Sequence, residues 1–178
     1  MSEVTQTTPG WLAHDDLESA RQRLPIVYVD AIPVRVDSRG EVVAVGLLLR
    51  AMPDGSISRA AVSGRVLYGE RIRDALLRHL EKDLGPMALP DLPLSPTPFT
   101  VVEYFPEPHV SGFHDPRQHA VSLAFVVPVK GDCVPSTSAL DLVWMDPHDA
   151  ASDGVAAEMT GGQDRLLRLA LAHVGVLP

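Results

Sequence analysis

The sequence predicts an α/β (α+β) sandwich, with helices covering both faces of a β-sheet. Three observations point there. Two long runs rich in β-branched residues are apolar at nearly every position, shorter strand-like runs recur further on, and three segments with helical spacing are interspersed among them. A chain of 178 residues has room for one core and hardly for two. Residues 11–178 are therefore expected to form one domain behind a disordered tail over residues 1–10.

The tail is polar, rich in Thr, and ends in Pro9-Gly10. Trp11 to Leu24 reads as a short amphipathic helix, ended by Pro25, which pushes the residue before it out of the helical region. Trp11 there fits either a core anchor or a homodimer contact. Ile26–Val36 and Val42–Leu49 read as strands joined by a tight turn in which Gly40 supplies the positive φ. A turn at Pro53-Asp54-Gly55 leads to a short strand around Ile57–Val62, then a loop over residues 63–69. A helix follows from about Glu70 to Leu84, closed by Gly85-Pro86 in the usual stop order. Pro86, Pro90, Pro93, Pro96 and Pro98 make a stiff connector with no regular structure expected. Thr100–Phe105, Ala120–Val129 and Leu140–Met145 read as three more strands, and Gln163–Val174 as a last helix.

The charge balance removes several function classes. The net charge is −8 without basic clusters, and phosphate-backbone binding needs a local excess of Lys and Arg, so nucleic acid is not an expected partner. Aromatic residues make up 5 %, too few for a single-strand stacking platform. One cysteine, Cys133, excludes an intramolecular disulfide and an all-cysteine metal site; it falls in a turn with no histidine at dyad spacing. There is no signal-peptide pattern, and the longest apolar run, Val42–Leu49, is too short to span a bilayer, so no membrane partner and a cytoplasmic location are expected.

The Glu70–Leu84 helix carries the chemical information. At 100° per residue its apolar sector holds Ile72, Ala75, Leu76, Leu77, Leu80 and Leu84, while Asp74, Arg78 and Glu81 fall opposite and should be solvated. His79 and Asp83 project into the apolar sector, with Lys82 at its edge and Arg73 placed to snorkel from the first turn. Buried ionic groups must be paired or must line a polar pocket. Either His79 and Asp83 bond to each other at a frayed end, or this end faces a ligand.

Gly64-Arg65-Val66-Leu67-Tyr68-Gly69-Glu70, seven further residues, and Arg78-His79-Leu80-Glu81-Lys82-Asp83-Leu84-Gly85 resemble the Nudix box in frame and spacing. Gly64, Glu70, Arg78, Leu80 and Gly85 fall on box positions without a gap. The resemblance implies a Nudix-like α/β/α sandwich around a mixed sheet, from about Ile26 onward, acting on a nucleoside diphosphate linked to another moiety. It assigns Glu70, Arg78 and Asp83 to catalysis. His79, Lys82 and Asp83 stand where three glutamates of the family hold Mg²⁺ or Mn²⁺, and Pro86 replaces the closing aliphatic residue. This is a degenerate box. An ammonium in place of one ligand repels a nearby cation by roughly 4 kcal/mol at about 4 Å and an effective dielectric near 20.

Two expectations follow from the departures. In one, the chain binds a small phosphate ligand without turnover, Lys82 supplying the charge a metal would, with His79, Arg117 and His119 as further substrate contacts. In the other, hydrolysis uses a rebuilt divalent-cation site of Asp83, Glu70 and His79, helped by Glu103 or Glu107, and imidazole shifts preference towards softer ions. A vestigial pocket in an assembly module is the third alternative. His109, His114 and His119 lie in a segment expected to loop, and converge on a metal only if the chain bends at Gly112.

Overall fold

The computed structural model describes residues 10–135 and 139–178; of the expected tail over residues 1–10, all but Gly10 lies outside them. The chain folds into α1 (His14–Arg23), β1 (Ile26–Val36), β2 (Val42–Ala51), β3 (Ile57–Ala60), β4 (Val62–Arg65), α2 (Ile72–Leu84), β5 (Thr100–Tyr104), β6 (Ala120–Pro128), β7 (Asp141–Met145), α3 (Pro147–Ala150), α4 (Asp153–Ala157) and α5 (Gln163–His173). The strands make one seven-stranded mixed sheet in the order β3-β2-β1-β6-β5, with β4 also paired to β1 and β7 to β2. β1 runs parallel to β6, Ile26 facing Ala120 through to Val34 facing Pro128, and antiparallel to its other partners.

The apolar runs explain the centre. Residues 29–34 of β1 are buried without a break, as expected for a strand covered on both faces. On one face Leu76, Leu80 and Leu84 of α2 pack against Val29, Ala31, Phe125 and Val127. On the other, Leu167, Ala170 and Leu171 of α5 pack against Ile32, Val34, Val45 and Leu47. Each of these fully buried leucines contributes about 1.5–3 kcal/mol by leaving water. The α/β/α sandwich of the sequence reading is the observed architecture. Among the described residues, no helix is long and apolar enough to cross a membrane.

Several local expectations need correction. Residues 63–65, expected in a loop, continue as strand from Val62, because their backbone completes the edge of β1's first half. α2 starts at Ile72, since Glu70 is held outside it by its own hydrogen bonds. Two short helices were not expected: α3, capped by Asp146 with Pro147 in its first turn, and α4, capped by Ser152. The proline connector is not wholly irregular, for the Asp91 amide donates to the Pro128 carbonyl and Pro90 bridges to Val129. α1 begins three residues later than expected and buries no residue completely. It is tied down by Arg21, whose Nε donates to the side chain of buried Gln118.

Candidate functional site

The site is built where β4 crosses beneath α2. Val29 faces Gly64 and Asp30 faces Ser63 across the β1–β4 ladder. The His79 ring lies directly on Gly64: a Cβ there would stand 1.9 Å from the ring's Cε1. Only glycine allows the helix to come this close. His79 is 6 % exposed, and its Nε2 lies 2.9 Å from the Arg65 carbonyl. A carbonyl can only accept, so Nε2 carries the proton and Nδ1, which is buried and without a hydrogen-bond partner, is left as an acceptor. Burial, reinforced by the nearby Arg78 and Lys82 charges, holds the imidazole pKa below its usual value. The local His79–Asp83 hydrogen bond that spacing allowed is replaced by this contact.

Arg78 does not point to solvent as the helical projection placed it. Its Nε and Nη2 donate to the two carboxylate oxygens of Glu70 at 2.7 and 2.9 Å, and Nη2 also donates to the Arg65 carbonyl. Glu70 further accepts the Leu67 amide. The Arg78 hydrogen bonds hold the Glu70 carboxyl below the usual range, so loop 66–71 is stapled to α2 by a charged fork. Asp83 is 0 % exposed and accepts from Arg50 Nη2, on β2, at 3.2 Å. Arg73 donates to the Pro93 carbonyl, bridging α2 to the connector.

In front of these residues opens a cleft of about 460 Å³ whose walls include Arg50, Arg65, Arg78, Lys82 and Arg117, together with His79 and Trp11. Among the described residues that line it there is no Asp or Glu. Asp83 lies behind the wall, shielded by Arg50. A second cavity of about 240 Å³ adjoins it, sharing Tyr28, Ser63, Arg117, Thr160 and Gln163. Arg117 reaches both, although Asp115 holds its guanidinium at 2.9 Å.

The other expected residues lie outside the cationic cleft, His114 on the wall of the smaller cavity. His119 stacks on Phe105 at 4.4 Å and meets Glu103 at 3.3 Å, and it lines neither cavity. His114 is held by the Phe105 carbonyl, and His109 is exposed, so the three histidines do not converge. Cys133 is half-buried, and burial pushes its thiol pKa up. No group of three or more His, Cys, Asp or Glu side chains able to hold a metal occurs among the described residues. As they stand, Glu70 is engaged with Arg78, Asp83 with Arg50, and His79 Nε2 with a carbonyl. This donor set does not fit a hard divalent cation, which needs several oxygens turned towards it.

Beneath the smaller cavity lies Asp30, which the sequence reading did not single out. It is 1 % exposed; one oxygen accepts from Ser122 Oγ at 2.7 Å and Tyr104 Oη at 3.1 Å, and the other is buried without a partner. Burial raises its pKa, and it likewise pushes that of Tyr104 up, which keeps the phenol a donor. A raised carboxyl pKa means the folded state binds the extra proton. Its stabilising contribution is therefore complete below the unfolded value and lost as pH rises towards the folded one. Asp30→Asn is expected to remove this decline. The gain in urea midpoint of the variant over the native chain should be larger at pH 7 than at pH 4, and parallel profiles would show Asp30 to be uninvolved.

Comparison with known proteins bears on this geometry. Residues 7–176 match the family model DUF4916, described as a domain of unknown function. A Jonesia denitrificans protein described as a possible asymmetric diadenosine tetraphosphate (Ap4A) hydrolase is 62 % identical, with 88 % of this chain and 98 % of that one covered and a TM-score of 0.85. An Ap4A hydrolase of C. elegans in a binary complex superposes with a TM-score of 0.58 at 14 % identity, over 83 % of this chain and 96 % of that one. The NUDIX domain of Shewanella oneidensis NrtR, complexed with ADP ribose, gives 0.58 at 14 % identity, over 92 % and 99 %. At that identity these two show the fold alone. No curated protein matches the sequence. The chain thus belongs to the DUF4916 family and, by its sandwich and the box frame running through β4 and α2, to the Nudix superfamily.

Proposed function

We propose that this protein binds a nucleoside diphosphate derivative in the 460 Å³ cleft, with side-chain cations in the role a divalent ion takes in the superfamily, and that any hydrolysis is weak. The observation that carries this is the cleft wall: Arg50, Arg65, Arg78, Lys82 and Arg117, with no carboxylate among the described lining residues. In a chain of net charge −8 such a concentration runs against the average. Low-dielectric walls focus its field on an anion that enters. Guanidinium and ammonium groups pair directly with phosphate oxygens, whereas a metal would first have to displace Arg50 from Asp83 and Arg78 from Glu70. The Jonesia relative's description as a possible Ap4A hydrolase and the ADP ribose in the NrtR complex support the ligand class. In this reading Glu70 and Arg78 shape the loop, and Lys82 and Arg117 contact the ligand.

Isothermal titration with ADP ribose, Ap4A and ADP, in EDTA and in Mn²⁺, tests it. Binding of at least one is expected to persist in EDTA within about two-fold. Lys82→Ala should weaken it about five- to ten-fold, the equivalent of one charge-assisted contact of about 1–1.4 kcal/mol. Binding only with metal, accompanied by Mn²⁺-dependent release of a mononucleotide, would establish the rebuilt catalytic site of Asp83, Glu70 and His79 instead. No binding under either condition would reject both.

A further inference from the structure

Trp11 stands at the mouth of the cleft, and its surroundings set it apart from a core residue. The Arg65 guanidinium lies 5.7 Å and that of Arg78 5.5 Å from the indole centroid, both within cation–π range. The ring nevertheless stays 47 % exposed. It lines both the cationic cleft and an apolar groove on the far side, lying along α1 and the start of β1. Its position is built. Gly10 adopts φ +89, and a Cβ there would meet the Tyr68 carbonyl at 3.0 Å and the Leu67 side chain at 3.1 Å. A side chain at residue 10 would strain this left-handed backbone and push the segment before α1 off the box loop by a few tenths of an ångström. α1, fixed by the Arg21–Gln118 bond, holds the segment from the other end. A large aromatic ring that is half exposed and flanked by two cations, beside a site suited to phosphate, has the chemistry of a stacking surface for a heteroaromatic base. Such stacking is sequence-tolerant and worth about ten- to a hundred-fold in affinity.

We infer that Trp11 is the nucleobase platform of this cleft. A ligand places its diphosphate among Arg50, Arg65 and Lys82 and its base against the open surface of the indole, so that base recognition comes from the segment preceding β1. This rests on the cationic-cleft reading above and adds the part of the ligand that phosphate contacts leave undefined.

The experiment compares a probe that has a base with one that has none. ADP and inorganic pyrophosphate are titrated in EDTA into the full chain and its Trp11→Ala and Trp11→Phe variants, each checked for a native urea midpoint. Trp11→Ala is expected to weaken ADP at least ten-fold while leaving pyrophosphate within two-fold, and Trp11→Phe should recover most of the ADP affinity. ADP should also quench the native chain's tryptophan emission, and in Trp11→Phe, where Trp144 alone emits, the quenching should vanish. Equal weakening of both probes by Trp11→Ala would overturn the inference, since Trp11 would then only steady Arg65 and Arg78. So would an unchanged ADP affinity. Either result leaves the cleft reading standing, because pyrophosphate still binds the native chain. If neither probe binds the native chain, the cleft reading falls and this inference with it.

Discussion

Replacing Gly64 by alanine is expected to destabilise the fold by about 2–3 kcal/mol, the upper part of the range for forcing a methyl into a packed site. The new Cβ would stand 1.9 Å from His79 Cε1 and 2.3 Å from each ring nitrogen. Neither neighbour can yield cheaply. β4 is held to β1 by its ladder, and α2 is held to the sheet by Leu76, Leu80 and Leu84, all at 0 % exposure. The ring must therefore leave its rotamer and abandon the Arg65 carbonyl. The cost belongs to one pair of residues, and this can be tested. In a His79→Ala background the same Gly64→Ala change is expected to be close to neutral, since alanine loses less backbone entropy in a strand than glycine does. A double-mutant cycle by urea denaturation should give a coupling of at least 1 kcal/mol. Native-like stability of Gly64→Ala alone would show that β4 and α2 do not touch as described.

That contact also shows where sequence reasoning stops. The projection of α2 turned His79 and Asp83 inward and left Lys82 at the edge, and all three lie so, because helical periodicity is a local property. The box frame carried the superfamily for the same reason: its spacing describes one loop and one helix. What those inward side chains meet is a matter of tertiary contact. Arg50, which pairs with Asp83, lies 33 positions earlier on another strand, and nothing in its own neighbourhood marks it. Angle alone assigns Arg78 to the solvated face, yet a long guanidinium can turn back to Glu70, eight positions earlier, where the loop returns to the helix. By sequence Gly64 falls in the loop between the Ile57–Val62 strand and the helix. Its use inside a strand, for close approach, becomes visible only with the ring above it. The caps of α3 and α4 were legible, as Asp146-Pro147 and Ser152-Asp153 carry the standard signals; brevity hid those helices.

Asp83→Asn separates the two chemistries that the cleft could support, because they respond with opposite sign. The substitution keeps the volume of a fully buried side chain and removes its charge. Stability is expected to fall by about 1–3 kcal/mol, as for a lost charge-assisted hydrogen bond. The fall stays below that of a wholly buried ion left alone, because the Arg50 side chain is 31 % exposed and water can reach it. Affinity for ADP in EDTA, by contrast, should hold or rise. A negative charge behind the wall opposes an anion in the cleft. At roughly 8 Å and an effective dielectric near 40 its removal is worth about 1 kcal/mol, or five-fold. If Asp83 were instead the surviving oxygen ligand of a divalent-cation site, the same variant would lose metal-dependent binding and turnover together, since an amide is a far poorer ligand for such ions than a carboxylate. Titration of ADP into Asp83→Asn, with EDTA and with Mn²⁺, reads the sign directly. Tighter or equal binding in EDTA identifies the Arg50–Asp83 pair as a built-in counter-charge, and abolished Mn²⁺-dependent binding identifies the carboxylate as a metal ligand.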